Sequence, residues 1–123
     1  MSCILVVEDD RLVRELVSDA LVDAGYAVAK AADGADALDQ LREHPADAIL
    51  LDMLMPVMDG WMFLDAIAQD EELRSIPVGM MSAVPALQQA ARDQGVQVIV
   101  GKPFALEDLL AQVECLLSEM PSR

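Results

Sequence analysis

Acidic, hydroxyl and cationic residues follow four separate apolar runs of this sequence. Carboxylates supply the oxygen ligands that Mg2+ prefers, one carboxylate can act as a nucleophile, and an ammonium group and a hydroxyl can both bind phosphoryl oxygens. A Mg2+-assisted phosphoryl transfer is therefore the chemistry that these residue types would serve. The residues are Glu8, Asp9 and Asp10 after the first run, Asp52 after the third, Ser82 after the fourth and Lys102 just past the fifth.

Each of these residues has a predicted role. We expect Asp9 and Asp52 to bind the metal directly and Glu8 to bind it through water. Asp52 would be the nucleophile, while Lys102 and Ser82 would bind phosphoryl oxygens. Taken singly, each also has a structural explanation, such as a helix cap or a turn. Their occurrence together favours the phosphoryl-transfer chemistry over these structural explanations.

The elements that must position these residues form an alternating pattern of short apolar runs and amphipathic stretches, joined by short connections. This alternation is typical of an α/β fold with a parallel sheet. In such sheets, ligands bind at the carboxyl ends of the strands, so the candidate residues should meet at one edge. The predicted strands are 3–7, 26–28, 48–51, 78–81 and 98–100.

Apolar residues at helical spacing predict a helix between each pair of strands and one after the last. Gly25 should end the first helix. The predicted inward faces are Val13, Leu16, Val17, Ala20, Leu21 and Ala24; Ala35, Leu38 and Leu41; Phe63, Leu64, Ile67 and Ala68; Leu87, Ala90 and Ala91; and Leu106, Leu109, Leu110, Val113, Leu116, Leu117 and Met120.

Length and composition fit one domain over residues 1–123. No apolar run reaches the length of a membrane span and no leader is visible, so we expect a cytoplasmic protein. The 22 acidic against 8 basic residues give a net charge of −14, which disfavours binding to nucleic acid or membrane. Cys3 and Cys115 have no metal or disulfide spacing and are interpreted as buried thiols.

Four motifs in this order resemble the receiver domain of two-component response regulators. The resemblance covers nearly the whole chain and implies a doubly wound, flavodoxin-like sheet of five parallel strands in order 2-1-3-4-5 with five helices. The motifs are Ile4-Leu-Val-Val-Glu8-Asp9-Asp10, Leu51-Asp52-Met-Leu-Met55-Pro56-Val-Met58-Asp59-Gly60, Met81-Ser82-Ala83 and Lys102-Pro103-Phe104.

The resemblance also implies a function. Asp52 would be the phosphoacceptor, supplied by a sensor histidine kinase, a phosphotransfer protein or a small phosphodonor, with no turnover of an external substrate. Glu8 and Asp9 would be the acidic pair at Mg2+, and the backbone carbonyl of Leu54 would complete the metal ligands. The bond from Lys102 to Pro103 would be cis. Output would pass to a downstream protein, and the oligomeric state stays open, with a phosphorylation-dependent dimer as one alternative.

Three features depart from the family pattern. Ile99 stands where receivers usually carry an aromatic or histidine ring, so we expect signalling to rely more on the loop after the fourth strand and on the fourth helix. Leu54 and Val84, which would flank the path of a hydrolytic water, are apolar, which predicts a long-lived acyl phosphate. Ala105 replaces the usual cap of the last helix, which predicts local fraying.

Two other functions compete with this interpretation. Phosphatases of the haloacid dehalogenase type also place an Asp nucleophile after an apolar strand, but they need a second acid two residues later, where this chain has Leu54. The other alternative is a receiver-fold interaction module that binds partners whatever its phosphorylation state. Ile99 favours this module, whereas the full set of carboxylates with Ser82 and Lys102 counts against it. Trp61 should be a partly buried packing residue close enough to the site to report on it.

Overall fold

The structure is a computed structural model that describes residues 2–52, 60–82, 85–93, 96, 98–101 and 105–118. Five parallel strands form one sheet in the order β2-β1-β3-β4-β5, which confirms the predicted fold. The elements are β1 Cys3–Val7, α1 Arg11–Asp23, β2 Ala27–Ala31, α2 Gly34–Glu43, β3 Ala48–Asp52, α3 Gly60–Ala68, β4 Val78–Ser82, α4 Pro85–Asp93, β5 Val98–Gly101 and α5 Leu106–Ser118.

The strand register brings the carboxyl ends of the central strands to one edge. Val7 pairs with Leu51, so the residues after β1 lie beside the end of β3. Asp52 pairs with Met81, which places the last residue of β4 one step beyond it. All five residues of β3 and all five of β4 are buried, as expected for strands that helices cover on both faces.

The sheet separates two apolar cores, because alternate strand residues point to opposite faces. Leu5 and Val7 pack on one face with residues of α2 and α3. Ile4 and Val6 pack on the other face with residues of α1 and α5. The sheet is thus held rigidly between helices, and the edge that carries the acidic residues is supported from both sides.

Helix α1 begins at a capping carboxylate and ends before the predicted glycine. The Asp10 carboxylate accepts hydrogen bonds from the backbone N–H groups of Leu12 (2.9 Å) and Val13 (3.3 Å), which is the usual N-cap arrangement. Gly25 follows the helix with φ 101°, a conformation that favours glycine. The prediction that Leu16 faces the core is wrong, since it is 52% exposed. It lies about 100° around the helix from the buried Val17.

Four other sequence predictions need correction. Ala24, predicted on the inward face of α1, is exposed and caps the helix at its C-terminus. Strand β2 runs over Ala27–Ala31 rather than 26–28, because pairing with β1 continues to Ala31. Ala68 is exposed in the last turn of α3, and Leu106 is 37% exposed at the start of α5.

Neither cysteine is a buried thiol. Cys3 is half-buried and Cys115 is exposed. Cys115 lies two residues after the buried Val113, which places it about 200° around the helix on the side facing solvent.

None of the helices in the described part of the chain is both long and apolar enough to cross a membrane.

Candidate functional site

Three carboxylates meet at the carboxyl edge of the sheet. One side-chain oxygen from each of Glu8, Asp9 and Asp52 lies within 4.8 Å of the others. Glu8 is 1% and Asp52 7% exposed, whereas Asp9 is exposed. The cluster therefore has two buried acids and one acid at its opening to solvent. The sequence predicted that the residues after β1 and β3 would meet at this edge, but not which of them would be buried.

Glu8 is fixed by hydrogen bonds to both its backbone and its side chain. Its N–H donates to the carbonyl of Ala31 (3.1 Å), and its Oε1 accepts from the N–H of Asp10 (3.2 Å). Its carbonyl accepts from Nη1 of Arg14 (2.9 Å). This contact of Arg14 was not predicted from the sequence. The one sequence feature that could have indicated the contact is a cationic residue in the second turn of α1. A long side chain at that position can reach back to the end of β1.

Ser82 ends β4 next to the acid cluster. It is 4% exposed and lies one residue beyond Met81, the partner of Asp52 in the sheet. Its carbonyl accepts a hydrogen bond from Nε2 of Gln88 in α4 (3.1 Å). Gln88 could not be identified from the sequence, since an amide side chain in a helix does not indicate which strand it will contact.

Several predicted site residues lie outside the residues that the structure describes. They are Leu54, Val84, Lys102 and Pro103. The metal-ligating carbonyl, the apolar water path, the phosphoryl-binding lysine and the cis bond therefore stay predictions.

Trp61, expected to report on the site, and Ile99, which replaces the usual ring, both lie against the core next to α2 and α3. Trp61 and Ile99 are both partly buried and pack against that core. The prediction that Trp61 is a packing residue is confirmed. The consequence expected of Ile99 stays a prediction.

The acid cluster fits a hard divalent cation. Its donors are all carboxylate oxygens, and Mg2+ takes few protein carboxylates while keeping several waters. Two of the acids are buried side by side, an arrangement that a neighbouring cation stabilises. Glu8, Asp9 and Asp52 therefore have the donor chemistry of Mg2+ ligands, and the exposed position of Asp9 leaves the cluster open to water.

A cavity of about 230 Å3 lies apart from the acid cluster. It is lined by Cys3 at the start of β1 and by residues of the last turn of α2. Burial, and to a smaller extent the nearby Asp47, raises the pKa of the Cys3 thiol, which lowers its reactivity. This cavity contains none of the three clustered acids, and we assign it no part in the chemistry.

Comparisons with known proteins agree with this geometry. The family model of the response regulator receiver domain matches residues 4–114. The response regulator MprA of Mycobacterium sp. (strain KMS) is 41% identical over 120 residues, which cover 93% of this chain and 50% of that protein. The chain thus spans about half the length of the curated relatives it matches.

Solved structures share the fold. The chemotaxis protein CheY4 of Vibrio cholerae superposes with a TM-score of 0.88 at 34% identity, over 94% of this chain and 98% of that one. A response regulator, described as putative, from Chloroflexus aurantiacus J-10-fl gives 0.91 at 29% identity, over 96% and 98%. With the strand order, the acid cluster at the sheet edge and the family match over most of its length, this chain belongs to the response regulator receiver domain family.

Proposed function

We propose that this chain is the phosphoacceptor of a two-component phosphorelay and that Asp52 carries the phosphoryl group. The observation that supports this most directly is the approach of three carboxylate oxygens within 4.8 Å, from Glu8, Asp9 and Asp52. Ser82 ends the neighbouring strand, where a hydroxyl can reach a group attached to Asp52.

In the proposed reaction, a carboxylate oxygen of Asp52 attacks phosphorus in line with the leaving group. A P–O bond forms, and the P–N bond of a phosphohistidine or the P–O bond of a small acyl phosphate breaks. The leaving group keeps the bonding electron pair, and an imidazole leaving group then takes a proton from solvent. Positioning and charge stabilisation supply nearly all of the catalysis in such transfers.

The chain's residues would divide the work of positioning. Asp9 and Asp52 would hold Mg2+ directly, Glu8 would hold it through water, and the Leu54 carbonyl would complete the protein ligands. The bound ion supplies the positive charge that lets an anionic nucleophile approach an anionic donor. Ser82 would donate a hydrogen bond to one phosphoryl oxygen, and Lys102 would pair with another.

The product of this reaction is the modified protein itself, so no turnover of an external substrate is expected. We propose that residues 1–123 act as one receiver domain in the cytoplasm. A sensor histidine kinase or phosphotransfer protein would supply the phosphoryl group, and a downstream protein would read it.

Exposed apolar side chains around the site support a protein partner. Leu12 is 81%, Met62 55% and Leu106 37% exposed, and each lies in the first turn of a helix that begins at the edge carrying the acids. We infer that a protein partner contacts this edge of the sheet. The net charge of −14 opposes binding to nucleic acid or anionic membrane.

The alternative is a receiver-fold module that binds partners without phosphorylation. Ile99, which is partly buried where an aromatic ring would be usual, favours it. The burial of Glu8 and Asp52 together argues against it, because a module with no phosphoryl chemistry gains nothing from two adjacent buried acids.

The test is phosphorylation by acetyl phosphate, followed by intact mass spectrometry with and without Mg2+. We expect the native protein to gain one phosphoryl mass that depends on Mg2+, with a change in Trp61 fluorescence. Asp52→Asn should gain none, whereas Asp65→Asn, which removes an exposed carboxylate on α3, should behave like the native protein. No mass gain in the native protein, from acetyl phosphate or from a cognate kinase, would favour the interaction module.

A further inference from the structure

One side chain of α4 contacts the ends of both β4 and β5. Nε2 of Gln88 donates to the carbonyl of Ser82 over 3.1 Å. The same nitrogen would lie 3.9 Å from a Cβ placed on Gly101, which pairs with Ser82 in the sheet. The Gln88 amide thus lies against the last residue pair of the two strands that lead to the predicted phosphoryl-binding groups.

Ile99 stands where receivers usually carry an aromatic or histidine ring, and it is unsuited to transmit a signal from this region. Ile99 precedes Gly101 by two residues and points to the same face of the sheet. It packs into the core beside α2 and α3, and a branched aliphatic group has neither a donor nor a planar ring to exchange between two positions. The hydrogen bond from Gln88 is a polar contact between α4 and the end of β4.

We propose that Gln88 is a positioning residue that couples Ser82 to helix α4. This inference rests on the proposed phosphorylation of Asp52 and extends it to the path of the signal. In this proposal, the Ser82 hydroxyl turns toward a newly attached phosphoryl group and the Ser82 backbone moves with it. Because the Ser82 carbonyl is the acceptor for Gln88, that shift changes the hydrogen bond that holds α4 against β4.

The contact meets the physical requirement for coupling. A modification shifts a conformational equilibrium only by the difference in its interaction energy with the two states. The hydrogen bond between Gln88 and Ser82 supplies such a difference, because it is a discrete contact that can be kept or broken. Whether α4 has two states that this contact biases is what the experiment below measures.

The test measures hydrogen exchange of α4 backbone amides before and after treatment with acetyl phosphate and Mg2+. Intact mass spectrometry of the same samples gives the phosphorylated fraction. In the native protein, phosphorylation should change exchange in α4 by about fivefold or more, the lower range of typical coupling. In Gln88→Ala and Gln88→Glu, neither of which can donate to the Ser82 carbonyl, the change should fall below about twofold at equal phosphorylation.

Gln89→Ala is the matched control. Gln89 is the exposed neighbour of Gln88, and it donates within its own helix to Asp93 over 3.3 Å, so its loss should leave the native response intact. A full α4 response in phosphorylated Gln88→Ala, an equal loss in Gln89→Ala, or no α4 response in phosphorylated native protein would overturn the coupling while leaving phosphorylation established. Absence of the phosphoryl mass in native protein would instead overturn the proposed function and this inference with it.

Discussion

Replacing the central carboxylate of the acid cluster should stabilise the metal-free protein. Asp52→Asn removes one negative charge beside Glu8, and both side chains are buried. Asparagine keeps the shape of aspartate and can still hydrogen-bond, so the substitution tests charge more than packing. The expected gain in stability is the repulsion that the native cluster carries without a cation.

The distance between the carboxylates sets the magnitude. At the 4.8 Å limit of the cluster, two like charges repel by about 0.9 kcal/mol in a water-like medium and about 3.5 kcal/mol at an effective dielectric constant of 20. The hydrogen bond that Glu8 accepts from the Asp10 N–H offsets part of this repulsion. We therefore expect Asp52→Asn to raise the free energy of unfolding by about 1–3 kcal/mol.

The assay is urea unfolding in EDTA, followed by the fluorescence of Trp61, the single tryptophan. The midpoint should rise by about 1 M. Addition of Mg2+ at a hundred times its Kd should then stabilise the native protein by about 2.7 kcal/mol and the variant by much less. Asp19→Asn, which removes an exposed charge from α1, should change little. A midpoint that stays unchanged or falls in Asp52→Asn, or rises equally in Asp19→Asn, would refute the electrostatic reasoning.

Three further predictions concern the rest of the fold. Ser18→Ala should raise stability by about 1 kcal/mol in the same unfolding assay, because the buried Ser18 hydroxyl has no hydrogen-bond partner in the described structure; a loss of stability would contradict this. Gly79→Val should cost about 1–3 kcal/mol by overpacking, since even a Cβ there would lie 3.2 Å from Leu116, and an unchanged melting temperature would disprove it. The exposed Cys115 should react with a thiol reagent at pH 7 faster than Cys3, whose pKa is raised, so equal rates would count against the burial of Cys3.

The central strands could be predicted closely from the sequence because their apolar runs end at charged or hydroxyl residues. The predicted bounds of β1 match those in the structure, and β3 and β4 each extend one residue further, to Asp52 and Ser82. Strand β2 was mispredicted because it lies at the sheet edge and consists of Ala27–Ala31 with an exposed lysine. Its extent is set by pairing with β1, which local composition does not reveal.

In the candidate site too, some contacts could be predicted from the sequence and others could not. Glu8, Asp9 and Asp52 could be predicted to meet, because parallel strands bring their carboxyl ends to a common edge. The contacts of Arg14 and Gln88 could not be predicted, since each of these side chains reaches a strand end from a helix. Which side chain of a helix reaches a given carbonyl depends on how the helix packs on the sheet, and one sequence contains no periodic signal for that.

The distribution of buried polar groups argues for function independently of any motif. In the described part of the chain, the buried polar or charged side chains are Glu8, Ser18, Asp52 and Ser82. Three of these four lie at one edge of one sheet, where two of them are like charges. Hydrogen bonds such as the one that Glu8 accepts from the Asp10 N–H offset part of the cost of burial, but two adjacent buried like charges still repel. Selection for stability alone would therefore favour apolar residues at these positions. Their concentration at the edge where parallel sheets bind ligands is the expected result of selection for a charged reactant. The gain in stability predicted for Asp52→Asn is then the free energy of unfolding that the native protein loses by keeping these charges together.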